Sequence, residues 1–279
     1  SIFIINNIFI LYLIILLMVS QNYAVVFDLD ETLGSFSQLY KFWFLTKLYL
    51  NKDDLDNKYF YNLIDLFPLF LRPNILSLLK KIKKKKTAGI CNYVMIYTNN
   101  NGPNYWANLI KSYFHYKLRF PLFDQIIKAF KINGKHIELG RTSHSKSLKD
   151  FINCTKLPTN TKICFLDDQE HPEMKQDNVL YINIDPYYYN VEYDIMATKF
   201  YNKHKKLFST SINHFINFIL LNTNNHRLNN LHKSPTQKNI DLLLTYHIIK
   251  EVNNFFDSKP QSYTKKHKKR NKKNITRKN

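Results

Sequence analysis

The sequence predicts an α/β protein built around a central parallel sheet, and three observations predict it. Short apolar runs rich in β-branched residues recur at 23–27, 92–98, 162–166 and 179–184, the form of strands buried on both faces. Segments with apolar residues at helical spacing separate them, as crossover helices separate parallel strands. Polar residues stand at the ends of three of the runs: Asp28 and Asp30, Thr98 and Asn99, Asp167 and Asp168. Open parallel sheets bind ligands at that edge.

The first run, YAVVF, leads into Asp28-Leu29-Asp30-Glu31-Thr32-Leu33-Gly34. Residues 36–50 follow with aromatic and apolar side chains at helical spacing, and the acidic, polar stretch 51–57 reads as a loop. A second apolar segment, 60–71, ends at Arg72-Pro73, where Pro73 suits the first turn of a new helix. That helix, 74–86, sets apolar residues against lysines. Its run 80–86 reads as a solvated face and helix end, where cations favour the dipole, ahead of a nucleic-acid patch. A helix is expected around 104–115. Residues 126–132 and 135–139 alternate about Asn133-Gly134, a strong hairpin signal. Residues 145–153 read as the helix before the third strand. From about Tyr193 the pattern turns helical in three segments, with the polar spacer 222–239 as a loop, and the basic end, 264–279, reads as disordered.

A chain of 279 residues with 44% hydrophobic content is long enough for a full core. The net charge of +20 points to an anionic partner. Three cysteines, Cys91, Cys154 and Cys164, have no metal-ligand spacing, which suits a reducing, intracellular compartment, cytoplasmic or nuclear. The apolar stretch 1–17 is interrupted by Asn6 and Asn7 and lacks a basic lead. We read it as sequence upstream of a start at Met18, with a membrane anchor as the alternative. The expected organisation is therefore an α/β domain over 18–190, a helical extension over 191–258 and a basic tail over 259–279.

Alternation along a strand places Asp28 and Asp30 on the same side. Three or four carboxylates converging on one point repel each other unless a cation holds them, and oxygen-only ligands favour a hard ion such as Mg²⁺.

Taken in order, DLDETLG, the Thr98-Asn99 strand end and Phe165-Leu166-Asp167-Asp168 resemble the haloacid-dehalogenase (HAD) superfamily of phosphotransferases. Within it the chain is most similar to the FCP/SCP-type phosphatases that act on phosphoserine in RNA polymerase tails. Leu71-Arg72-Pro73-Asn74, Lys149-Asp150-Phe151, His171-Pro172 and Asp177-Asn178-Val179 add to the likeness, which spans residues 23–188. It implies a Rossmann-like HAD fold, to which this chain's own pattern adds the absence of a large cap, a small β-hairpin insert and, beyond the reach of the likeness, a C-terminal helical extension.

The resemblance also implies roles. Asp28 would be the nucleophile that forms an aspartyl-phosphate. Asp30 would protonate the leaving oxygen and then activate water. Thr98, with Thr32 and Asn99, would contact the phosphate. Asp167 would bind Mg²⁺ with Asp28 and the Asp30 carbonyl, with Asp168 as an alternative ligand or a support behind it. Lys146 or Lys149 would neutralise the phosphate: Lys149 matches the family's Lys-Asp-Phe pattern, while Lys146 sits nearer the helix start and is preferred. His171 reads as a turn residue, Arg72 and Arg141 as surface or ion-pair arginines, and Tyr187-Tyr188-Tyr189 as packing.

Two departures matter. The segment after Gly34 is too short for a large cap, which suits a macromolecular phosphoester, a phosphoprotein first. Asp168 stands where these phosphatases usually have Asn. The alternatives are a 3′-phosphatase on nucleic-acid ends, a non-catalytic HAD-like scaffold, and nonspecific nucleic-acid contact through the basic tail.

Overall fold

The computed structural model describes residues 21–223 and 233–257. The apolar stretch 1–17, the start expected at Met18 and the basic tail 259–279 lie outside the described residues. The strands are β1 (Tyr23–Phe27), β2 (Tyr93–Tyr97), β3 (Gln125–Ile127), β4 (Lys131–Ile132), β5 (Lys135–His136), β6 (Lys162–Asp167) and β7 (Val179–Asn183). Five of them form a parallel sheet in the order β3-β2-β1-β6-β7. β1 is central, with Phe27 between Ile96 and Leu166. The chain winds outward through β2 and β3, then returns to the other side of β1 at β6. That reversal opens a crevice at the carboxyl ends of β1 and β6, where a doubly wound sheet binds ligands.

Alternation along the strands divides the core in two. Val25, Phe27, Val94, Ile96, Cys164 and Leu166 face a large cluster. Ala24, Val26, Met95, Tyr97, Ile163 and Phe165 face a smaller one. The large side is covered by α1 (Ser37–Leu50), α2 (Asn57–Leu66), α3 (Ile75–Thr87) and α4 (Asn104–Leu118). The small side is covered by α5 (Leu148–Thr155) through Phe151.

The helices after Tyr193 join the large cluster: α6 (Tyr193–Lys203), α7 (Ile212–Leu221) and α8 (Pro235–Asp257). Phe42 of α1 meets Phe200 at 5.9 Å and Phe215 at 6.2 Å, and Phe255 meets Tyr23 at 5.4 Å. The extension thus shares one core with the sheet. Among the described residues no helix is long and apolar enough to cross a membrane.

Four local expectations are corrected. The hairpin is confined to β4 and β5, paired Lys131 to His136 and Ile132 to Lys135. Residues 125–127 instead form an edge strand of the main sheet. Pro73 precedes α3 rather than opening it, because Asn74 takes a left-handed turn (φ 59°) before the helix begins at Ile75. α5 starts at Leu148, since the Ser147 hydroxyl oxygen accepts the Asp150 N–H at 3.1 Å and caps the helix there. α8 starts at Pro235, inside the stretch read as a loop.

The lysine run is only half a solvated face. Lys80, Lys81 and Lys84 are exposed. Lys83 donates to Leu118 O at 2.9 Å, Lys85 pairs with Asp257 at 2.9 Å, and Lys86 pairs with Asp124.

Candidate active site

Asp28 is the first residue past β1, and its N–H donates to Leu166 O at 2.8 Å. Asp167 is the last residue of β6. The two carboxylates therefore flank the crevice, and the Lys146 ammonium lies between them, paired with Asp28 Oδ1 and, at 2.6 Å, with Asp167 Oδ2. All three side chains are buried.

Lys146 reaches this position because it is not helical. The fully buried Asp150 accepts from Thr142 N at 2.8 Å and from the Thr142 hydroxyl at 3.0 Å. With the Ser147 cap, that contact folds residues 142–147 back over the sheet edge. Arg141, 1% exposed, adds a second brace. Its guanidinium donates to Thr98 O (3.3 Å), Lys128 O (2.9 Å) and His144 O (2.9 Å), and lies 4.9 Å from the Tyr97 ring centre.

The loop after Asp28 is a tight turn. Glu31 is left-handed (φ 54°), Thr32 N donates to Asp30 O at 2.6 Å, and Glu31 N donates to Gly34 O at 2.8 Å. Gly34 is required there: a Cβ would stand 2.4 Å from Phe70 O. Arg72 fixes the turn from behind, donating from Nε to Thr32 O at 2.7 Å and from NH2 to Glu31 O (2.5 Å) and Asp185 O (2.8 Å). Thr32 Oγ1 donates to Asp168 Oδ1 at 3.1 Å.

On the third side, Thr98 N donates to Ile127 O at 3.0 Å, and the Thr98 hydroxyl oxygen accepts the Asn100 N–H at 3.0 Å. The Asn100 amide donates to Asp30 Oδ2 at 2.6 Å. Asp30 Oδ1 and Asn99 Oδ1 are buried and meet no hydrogen-bond partner among the described residues.

Burial raises the Asp28 carboxyl well above the usual range; Lys146 opposes the rise, and Asp167 and Asp30 add to it. Burial alone would also raise Asp167, but His171, Lys146 and the Gln169 N–H outweigh it and hold that carboxyl low. Burial likewise raises Asp30, against Asn100, and raises Asp168, with Asp167 adding to it. Lys146 pairs with two of these four carboxylates, Asp28 and Asp167. Asp28, Asp167 and Asp168 each offer a carboxylate oxygen, all within 4.8 Å of one another. This all-oxygen donor set fits a hard divalent cation.

The structure brings Asp28, Asp30, Thr32, Thr98, Lys146, Asp167 and Asp168 to one edge, with Asn99 and its buried amide oxygen next to Thr98. It does not bring Lys149, which is exposed on the first turn of α5 and lines a separate surface hollow with Ile152 and Glu173. The difference between the two lysines follows from the cap: with the helix starting at 148, Lys146 lies before it and pairs with Asp28 and Asp167, as its position nearer the helix start favours. Arg72 and Arg141 are neither surface nor ion-pair residues, since both are buried on backbone carbonyls.

His171 is more than a turn residue. Its Nδ1 accepts from Lys146 N at 3.4 Å, and its Nε2 stands 3.5 Å from Asp167 Oδ2. Tyr187 and Tyr189 pack as expected, the Tyr187 hydroxyl donating to Leu69 O at 2.8 Å and the Tyr189 ring meeting Phe70 at 5.0 Å, but Tyr188 is exposed and does not pack. Asn100 was missed. An Asn-rich run after the strand signals only a turn, and nothing local marks which Asn faces Asp30.

Comparison of the chain with family models, curated proteins and solved structures returns no match.

Proposed function

We propose that the chain is a Mg²⁺-dependent phosphomonoester hydrolase of the HAD, FCP/SCP-like type, acting on phosphoprotein. One observation carries this reading: a buried lysine bridges two aspartates across the switch point of a parallel sheet, with Asp30 held beside them. A capping pair of acids has no use for a buried ammonium.

The chemistry follows from the residues. An Asp28 oxygen attacks phosphorus as the ester P–O bond breaks, and the leaving oxygen takes its proton from Asp30. Burial raises the Asp30 carboxyl above its usual range, the direction that favours its holding that proton. Water then attacks the aspartyl-phosphate, giving its proton to Asp30, and phosphate leaves with Asp28 restored. Lys146 would balance charge on Asp28 and the phosphoryl oxygens, and the Thr98 hydroxyl would donate to one of those oxygens. Asp28, Asp167 and Asp168 would hold Mg²⁺, which supplies Lewis-acid stabilisation of the transferring group.

The test is phosphate release by the full chain from p-nitrophenyl phosphate, a phosphoserine peptide and a 3′-phosphorylated oligonucleotide, with and without Mg²⁺. The reading requires Mg²⁺-dependent release that Asp28→Asn abolishes. Preference for the oligonucleotide would favour the nucleic-acid 3′-phosphatase, the reading to which the net charge of +20 lends weight.

A further inference from the structure

The excursion between β3 and α5 leaves the candidate site and returns to it. Thr98 N bonds to Ile127 O, so Lys128 departs from the carboxyl edge beside Thr98. The chain comes back at Lys146, between Asp28 and Asp167. Arg141 ties the two ends together, donating to Lys128 O and Thr98 O at the departure and to His144 O at the return. The β4–β5 hairpin is therefore a rim of the site.

That rim is basic. Lys131, Lys135, His136 and His144 are exposed, and Lys128 is half-buried. Within residues 125–149 the sole acid is Glu138, whose Oε2 accepts the Lys128 N–H at 3.2 Å. Lys131 and His136 are cross-strand partners, so they share a face. They gather with His144 around Phe130: His136 at 4.5 Å, His144 at 5.4 Å, and Lys131 Nζ at 4.8 Å from the ring centre. A basic ledge of Lys131, His136 and His144 thus stands on the segment that leads into Lys146.

We propose that this hairpin docks the acidic flank of a phosphopeptide, holding carboxylates beside the phosphoryl group that enters the site. The proposal rests on the phosphatase reading and adds a substrate class to it. A single-stranded nucleic acid fits less well. Such ligands are held by bases stacked on free aromatic faces, and the hairpin's one aromatic ring is already enclosed by His136, His144 and Lys131. The arginine nearest the rim, Arg141, is buried on carbonyls. Lysines on a short ribbon act as point charges, which suits mobile carboxylates.

The experiment compares kcat/KM of the full chain on two phosphoserine peptides, one with glutamates around the phosphoserine and one with glutamines. A 3′-phosphorylated oligonucleotide and p-nitrophenyl phosphate complete the set. The glutamate peptide is expected to be preferred about tenfold at low salt, with the preference shrinking as ionic strength rises. Lys131→Glu should erase the preference, and Lys131→Gln should give a partial loss, which keeps the test open if the charge reversal fails to fold. Lys81→Glu/Lys84→Glu should keep it. Those lysines are exposed on α3, which runs into the amino end of β2, the opposite edge of the sheet.

Equal turnover of the two peptides, a preference that survives in the hairpin variant, or better turnover of the oligonucleotide would overturn the docking assignment. Hydrolysis of p-nitrophenyl phosphate without a peptide preference removes the docking alone. No hydrolysis of any substrate removes the phosphatase reading and the docking with it.

Discussion

Asn100 donates its side-chain amide to Asp30 Oδ2 across 2.6 Å, joining the exit of the second strand to the turn after the first. The same amide's oxygen accepts Gly102 N at 2.8 Å, so Asn100 is itself held on both sides. Asp30 Oδ2 is thereby occupied, and Oδ1, buried and without a partner among the described residues, is the oxygen that would carry a proton in the proposed mechanism.

A consequence is that Asn100→Ala should cost more on poor leaving groups than on good ones. Turnover of an alkyl phosphate, which needs a proton from Asp30, should fall about tenfold or more. Turnover of p-nitrophenyl phosphate, which needs it less, should fall only slightly. Equal losses on both would mean that Asn100 serves only the fold.

Lys146 and Lys149 should separate cleanly. Lys146→Met should lower kcat by about 10²–10³-fold, while Lys149→Ala should change it less than about twofold. Removing the ammonium also leaves Asp28 and Asp167 buried without their shared cation, a loss on the order of 3–5 kcal/mol. Thermal melts should show that loss, and added Mg²⁺ should restore more stability to Lys146→Met than to the parent protein.

Arg141 is predicted to be a structural keystone of the site rather than a phosphate contact. Arg141→Met strands the carbonyls of Thr98, Lys128 and His144, and should destabilise by about 2–4 kcal/mol in urea melts. The variant that folds should bind phosphate as well as the parent does. A specific loss of phosphate affinity at unchanged stability would contradict the assignment.

A pH effect remote from the site tests the packing of the C-terminal helices. The His204 ring, just past α6, lies 5.0 Å edge-on to Tyr59 and 4.8 Å from Phe200. Burial, with Lys203 adding to it, lowers its pKa below the ordinary value of 6.5. A lowered folded-state pKa means that protonation favours the unfolded chain. The contribution is complete above the ordinary value and is lost as pH falls through it and on through the folded-state value. Melting temperature should therefore drop less between pH 7.5 and about pH 5 in His204→Phe than in the parent.

Much of this architecture is written locally. YAVVF and KICFL read as buried strands because every residue is apolar or β-branched save a terminal lysine, and Asp28 and Asp167 follow from where those strands stop. β3 escaped because Gln125-Ile126-Ile127 is only three residues long and merges with the alternation around Asn133-Gly134. The start of α5 escaped because its position depends on a cap, and that cap decides between Lys146 and Lys149. Asn100, Arg72, Arg141 and His171 could not be assigned from spacing. Their partners are carbonyls, a carboxylate or a backbone N–H supplied by other loops, which come together only when the sheet has formed.

The most direct measurement is mass spectrometry of the full chain, quenched in acid during turnover of a phosphomonoester with Mg²⁺. The account predicts a phosphoryl adduct on the peptide that contains Asp28, labile to hydroxylamine as an acyl phosphate is, and absent from Asp28→Asn. Turnover with no adduct at Asp28, or turnover that persists in Asp28→Asn, would contradict it.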